Sequence, residues 1–115
     1  EVEVVNSSFT PARVPIGGKT RVRVEVRDTR KLKSKGTQKL TAELVVHFVK
    51  ANGKTSAKVF QLAQLTLAPG EHAVLEKTIS LAVHTTRKPY AGRHAVEIRF
   101  NGASTPLGAF VVTRV

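Results

Sequence analysis

The chain has 115 residues, 19 Lys and Arg against 8 Asp and Glu, a formal charge of +11, and no Cys, Trp or Met. That length suits one domain with its own core, and the missing Cys exclude a disulfide framework, thiol catalysis and sulfur-ligated zinc. A surplus this basic favours nucleic acid, anionic lipid or another acidic partner, while no run of roughly 18 apolar residues is present to span a membrane.

Period two dominates from the first residues onward. Strands are expected near 2–9, 19–29, 39–50, 58–67, 72–84, 93–100 and 106–114. Residues 11–18 break the chain with Pro11, Pro15, Gly17 and Gly18. In 19–29, Thr20, Val22, Val24 and Val26 share one face and Arg21, Arg23, Glu25 and Arg27 the other. The stretch 27–39, RDTRKLKSKGTQK, is expected to be the most mobile loop, with its charge solvated. In 39–50 the core face is Leu40, Ala42, Leu44, Val46 and Phe48, and the opposite face includes Val45, His47 and Val49. Asn52-Gly53 and Asn101-Gly102 are hairpin signals, and Pro69-Gly70 is a turn signal. Residues 59–68 come nearest to a helical period, leaving room for one helical turn. In 93–100, His94, Val96, Ile98 and Phe100 share a face, preceded by Tyr90 in the place of a corner tyrosine.

Seven strands with regular turns and no helix predict an all-β, immunoglobulin- or fibronectin-like antiparallel sandwich. Residues 1–115 read as one such domain. The opening Glu1-Val2-Glu3-Val4 and the lack of Met lead us to expect a domain excised from a larger protein, and no leader segment is visible. The eight carboxylates are scattered, no phosphate-binding glycine loop or nucleophile elbow occurs, and His47, His72, His84 and His94 lack metal-ligand spacing. We therefore expect no catalytic residue, metal, cofactor or small-molecule substrate. The histidines read as ordinary surface or half-buried residues, with His47 and His94 on opposite faces of neighbouring strands. What remains is a binding surface.

Strand order decides where charge collects. In a seven-strand sandwich one end gathers the 11–18 loop with Arg13, the hairpin tip with Lys50, Asn52, Lys54 and Lys58, and the 85–93 loop with Arg87, Lys88, Tyr90 and Arg93. All of these except Arg13 are the expected DNA-binding residues. The other end gathers Arg30, Lys31, Lys33 and Lys35, the alternative DNA-binding loop. Val45, His47 and Val49, extended by Ala95, are expected to form an apolar strip that docks onto another domain.

The stretches HFVKANGKTSAKVF (47–60), LTLAPGE (65–71) and TTRKPYAGRHAVEIRFNG (85–102) resemble the C-terminal immunoglobulin-like domain of AlkC-type alkylpurine DNA glycosylases, over residues 14 to 115. The resemblance implies a sandwich that grips duplex DNA by its phosphates, beside a HEAT-like repeat domain of the same parent chain. It implies that the base-excising residues lie in that helical domain. By motif it carries over Lys50, Asn52, Gly53, Lys54 and Lys58, and Arg87, Lys88, Tyr90, Gly92, Arg93 and His94, without assigning DNA contacts among them. The competing readings are a secreted adhesion or carbohydrate-enzyme accessory module and a purely structural module whose charge serves solubility. A single Tyr and no Trp make a poor sugar platform.

Overall fold

The computed structural model describes residues 2–83 and 88–114. They form eight strands: β1 (Val2–Thr10), β2 (Arg13–Pro15), β3 (Lys19–Asp28), β4 (Gln38–Val49), β5 (Thr55–Leu67), β6 (His72–Ser80), β7 (Gly92–Phe100) and β8 (Ala103–Thr113). A three-stranded sheet in the order β1-β3-β6 packs on a five-stranded sheet in the order β2-β8-β7-β4-β5. The all-β sandwich expected from the alternation is the fold. Among the described residues, no helix is long and apolar enough to cross a membrane.

The alternating apolar positions meet between the sheets. Val22, Val24 and Val26 of β3 face Leu40, Ala42, Leu44 and Val46 of β4 and Val96, Ile98 and Phe100 of β7, with Phe110 of β8 fully buried. On β3 the charged face turns outward, as the period requires.

Four elements differ from the expected set, one of them β8, which starts at Ala103 rather than 106. Residues 13–15 form a short strand parallel to β8, with Val14 buried opposite Val112, so the N-terminal segment crosses from one sheet to the other. Residues 59–68 make no helical turn: 59–67 belong to β5, which starts at Thr55 rather than 58. Strand β6 ends at Ser80 rather than 84.

The turns follow local chemistry. Asn101 (φ 47°) and Gly102 (φ 91°) are both left-handed, as a two-residue hairpin turn requires. At the other Asn-Gly, only Gly53 is left-handed (φ 81°). There the Gly53 amide donates to Lys50 O, the Lys50 amide to Lys54 O, and the Lys54 amide to Asn52 Oδ1. Asn52 thus acts through its side chain rather than through a positive φ. Pro69-Gly70 closes a turn in which the Glu71 amide donates to Ala68 O.

The 29–37 segment is anchored at Arg30, while residues 31–37 are exposed. Asp28 is fully buried and takes Arg30 in a two-pronged pair, Nη2 to Oδ2 at 2.8 Å and Nε to both oxygens, plus the Arg30 amide at 2.8 Å. Arg30 Nη2 also donates to Leu67 O at 3.1 Å. These bonds hold the Asp28 carboxyl well below the usual carboxylate range, Arg30's side chain being the main cause and burial opposing it.

Candidate nucleic-acid interface

The molecule measures 52 × 23 × 19 Å, so its strand ends lie far apart. One end collects the finish of β4, the start of β5, the start of β7 and the finish of β8. Lys50, Lys54, Lys58, Lys88 and Arg93 are exposed there, joined by Arg13, Lys19 and Arg114. The convergence expected of separate loops is real: Lys50, Ala51, Gly53, Lys88, Tyr90 and Arg114 line one hollow. Arg87 lies outside the described residues. Lys19 and Arg114 were missed from the sequence, although each sits directly beside a strand end at this pole.

The acids explain why this end is so basic. No Asp or Glu occurs in 10–19, 44–70, 77–96 or 98–115. Elsewhere six of the seven described acids pair on sheet faces and at the opposite end, Glu3 with Arg27, Glu76 with Arg21, Glu25 with His72, Glu43 with Arg99, Glu97 with His47, and Asp28 with Arg30, while Glu71 accepts the Ala68 amide. Arginine and histidine make all of these pairs. None of the ten lysines enters one among the described residues. Arginine's planar fork suits a carboxylate between strands as it suits a phosphate, and lysine presents a mobile point charge that also binds phosphate.

The alternative loop is different in kind. Arg30 is committed to Asp28, while Lys31, Lys33 and Lys35 are exposed. Carboxylates Glu3, Glu25, Asp28 and Glu71 share that end, so its field is mixed in sign.

The expected docking strip is not an open apolar surface. Val45 is only 7% exposed, flanked in register by Val59 and Glu97 and lying between the Glu43–Arg99 and His47–Glu97 pairs. His47 and Val49 are half-buried, and Val49 lies against Gly92, whose φ of 140° strains any other residue and where a Cβ would come within 3.1 Å of the Val49 side chain. His47 and His94 do lie on opposite faces, but His94 is fully buried rather than half-exposed.

A line of rings runs from the basic end into the core. Phe60, Phe48, His94, Phe110 and Phe9 follow one another with centroid separations of 6.2, 5.5, 5.2 and 6.2 Å. His94 Nδ1–H donates to Gly92 O at 3.1 Å, and Nε2 accepts the Val49 amide at 3.4 Å. It is therefore the neutral imidazole that fits, and burial pushes its pKa below the ordinary 6.5, with the Gly92 bond opposing. The ring ties the finish of β4 to the start of β7, directly under the lysine-bearing turn. No group of three or more metal-ligating side chains occurs among the described residues.

The fold is an immunoglobulin-like sandwich whose basic charge gathers at one end. The chain belongs to the family described as "Uncharacterised protein YhaZ, C-terminal Ig-like domain", which matches residues 3–114. It is 34% identical over 65 residues to the uncharacterized protein YhaZ of Bacillus subtilis (strain 168), covering 56% of this chain and 18% of that protein. Among solved structures it is similar to the Pseudomonas fluorescens alkylpurine DNA glycosylase AlkC bound to DNA containing an abasic site analog. That match has TM-score 0.85 and 30% identity, covering 100% of this chain and 31% of the glycosylase. A Listeria innocua beta-glucosidase matches with TM-score 0.71 and 17% identity over 97% of this chain and 16% of that enzyme, a likeness of fold alone. The chain thus spans under a third of the length of the relatives it matches.

Proposed function

We propose that this chain is an accessory DNA-binding domain of an alkylated-base DNA glycosylase. It grips the duplex backbone without reading sequence, as a cytoplasmic protein would grip the chromosome. The base-excising residues lie in a HEAT-like repeat domain of the same parent chain, and this domain is not itself an enzyme. The observation that carries the reading is the carboxylate-free end with its unpaired lysines. The likeness at 30% identity to a DNA-bound glycosylase supports it, whereas the glucosidase likeness supports only the sandwich.

The chemistry is that of counterion release. Each Lys or Arg that neutralises a phosphate releases condensed cations, positions the protein and reads no base. A repair enzyme must scan every sequence, so such a grip suits it. The test is a salt titration against duplexes of unrelated sequence. With three or four phosphates contacted, log K against log salt should carry a slope of about −3, with affinities alike across sequences. No binding at moderate salt, or a strong preference for one sequence, contradicts the reading.

A further inference from the structure

The two sheets differ in width, and among the described residues no strand of the smaller sheet covers the first part of β5. Its inward-facing residues pass from buried Leu67, through half-buried Leu65 and Phe60, to exposed Lys58 and Ser56. Phe48, opposite Ser56, is half-buried for the same reason. Beside them, residues 88–90 stand across a cleft of about 560 Å³. It adjoins a second hollow of about 400 Å³ that shares Val49, Lys50, Lys88, Pro89 and Tyr90. The cleft wall is Phe48, Val49, Ala57, Pro89 and Tyr90, and its cations are Lys50, Lys58 and Lys88. Lys58 Nζ lies 5.0 Å from the centroid of the Phe60 ring.

We propose that this cleft holds one unpaired nucleotide of a DNA strand, its base against the Phe48 and Tyr90 wall and its flanking phosphates on Lys50, Lys58 and Lys88. The inference rests on the DNA-binding reading above and names what this part of the basic end takes. An aromatic and apolar wall ringed by cations is the chemistry of an unstacked base with a phosphate on either side. A paired duplex hides the faces of its bases and can use only the lysine rim. The volume lies within the roughly 300–1,000 Å³ of small-molecule sites. Phe48 is backed by His94 and then Phe110, so the wall behind the base is a fixed one.

Tyr90 is the single Tyr and there is no Trp, so the chain's intrinsic emission reports the cleft directly. The chain is titrated at low salt with an oligothymidylate of roughly 12 nucleotides, with a duplex of equal length, and with inorganic phosphate. The oligothymidylate should quench Tyr90, and the duplex and phosphate should not. Tyr90→Ala should weaken oligothymidylate binding about tenfold and change duplex binding by under about twofold. Ser56→Leu, at an exposed position on the cleft wall, should have the same effect without disturbing residues 88–91. If the duplex binds while the oligothymidylate neither binds nor quenches, or if neither substitution weakens the single strand, the cleft inference is overturned and the duplex grip stands. Quenching by phosphate alone also overturns it, by showing a phosphate site without a base. If neither DNA binds, the DNA-binding reading falls and takes this inference with it.

Discussion

His94 is one buried side chain that ties β4 to β7 under the basic end, and its surroundings predict a pH response. Its imidazole is closed in by Phe48 and Phe110, donates to Gly92 O and accepts the Val49 amide. A proton on Nε2 would remove that acceptor and place an unpaired charge in the core. Because the folded pKa is depressed below the ordinary 6.5, the unfolded chain binds a proton that the folded chain refuses. Stability should therefore be level above pH 6.5 and decline as pH falls below it, toward the lower folded pKa. Thermal melts between pH 8 and 5 test this, and His94→Phe should flatten the decline. Melts of equal steepness in the variant would show that other groups set it. At the same scale, Phe110→Ala should cost about 3–5 kcal/mol in urea unfolding. Phe48→Ala should cost less, because Phe110 is fully buried and Phe48 is not. Equal losses would mean that Phe48 is as well enclosed as Phe110.

Strand β4 carries the pattern that is easiest to read and also the expectation that failed. Its inner face, Leu40 to Val46, is the core face that the alternation marks. Its outer face was expected to be an open docking strip, yet Val45 is covered by neighbours on β5 and β7. Alternation gives the face of a residue but not the height of the side chains beside it. Val45→Lys should thus destabilise the chain itself by about 2 kcal/mol or more, since it buries an amine. Val59→Lys, on the neighbouring strand and 43% exposed, should stay within about 0.5 kcal/mol. Urea unfolding of the two variants checks this, and a tolerated Val45→Lys would restore the strip. Other elements were illegible for definite reasons. β2 has three residues, the last of them Pro15, and pairs in parallel with the far end of the chain, a contact that local periodicity does not encode. The 29–37 segment, anchored at Arg30, reads as a solvated charge run, because only the fold shows that Asp28 points inward to receive Arg30. The uncovered part of β5 depends on how many strands each sheet holds, which the strand count leaves open.

At the scale of the whole molecule, the central fact is a rod whose charge is sorted by residue type and position. Among the described residues, arginines and histidines neutralise carboxylates on the sheet faces, no lysine enters an ion pair, and Lys50, Lys54, Lys58 and Lys88 lie at one end. The composition announced a surplus of +11, and strand order brought Lys50, Lys54, Lys58, Lys88 and Arg93 to one pole. The carboxylate gaps that make that pole single-signed were also present in the sequence, but their meaning required the ion pairs. The central claim is that position rather than net charge makes this domain a DNA grip. The most direct measurement compares Lys54→Glu plus Lys88→Glu with Lys33→Glu plus Lys35→Glu, in duplex binding across a salt series. Both double variants change the net charge equally. We expect the first pair to weaken binding to every duplex and to flatten the salt slope by about 2, at roughly 0.9 per lost contact. The second pair should leave the slope near that of the unaltered chain. Loss of affinity and slope in the second pair alone would place the grip at the opposite end, and no loss in either would leave the charge with a role in solubility only.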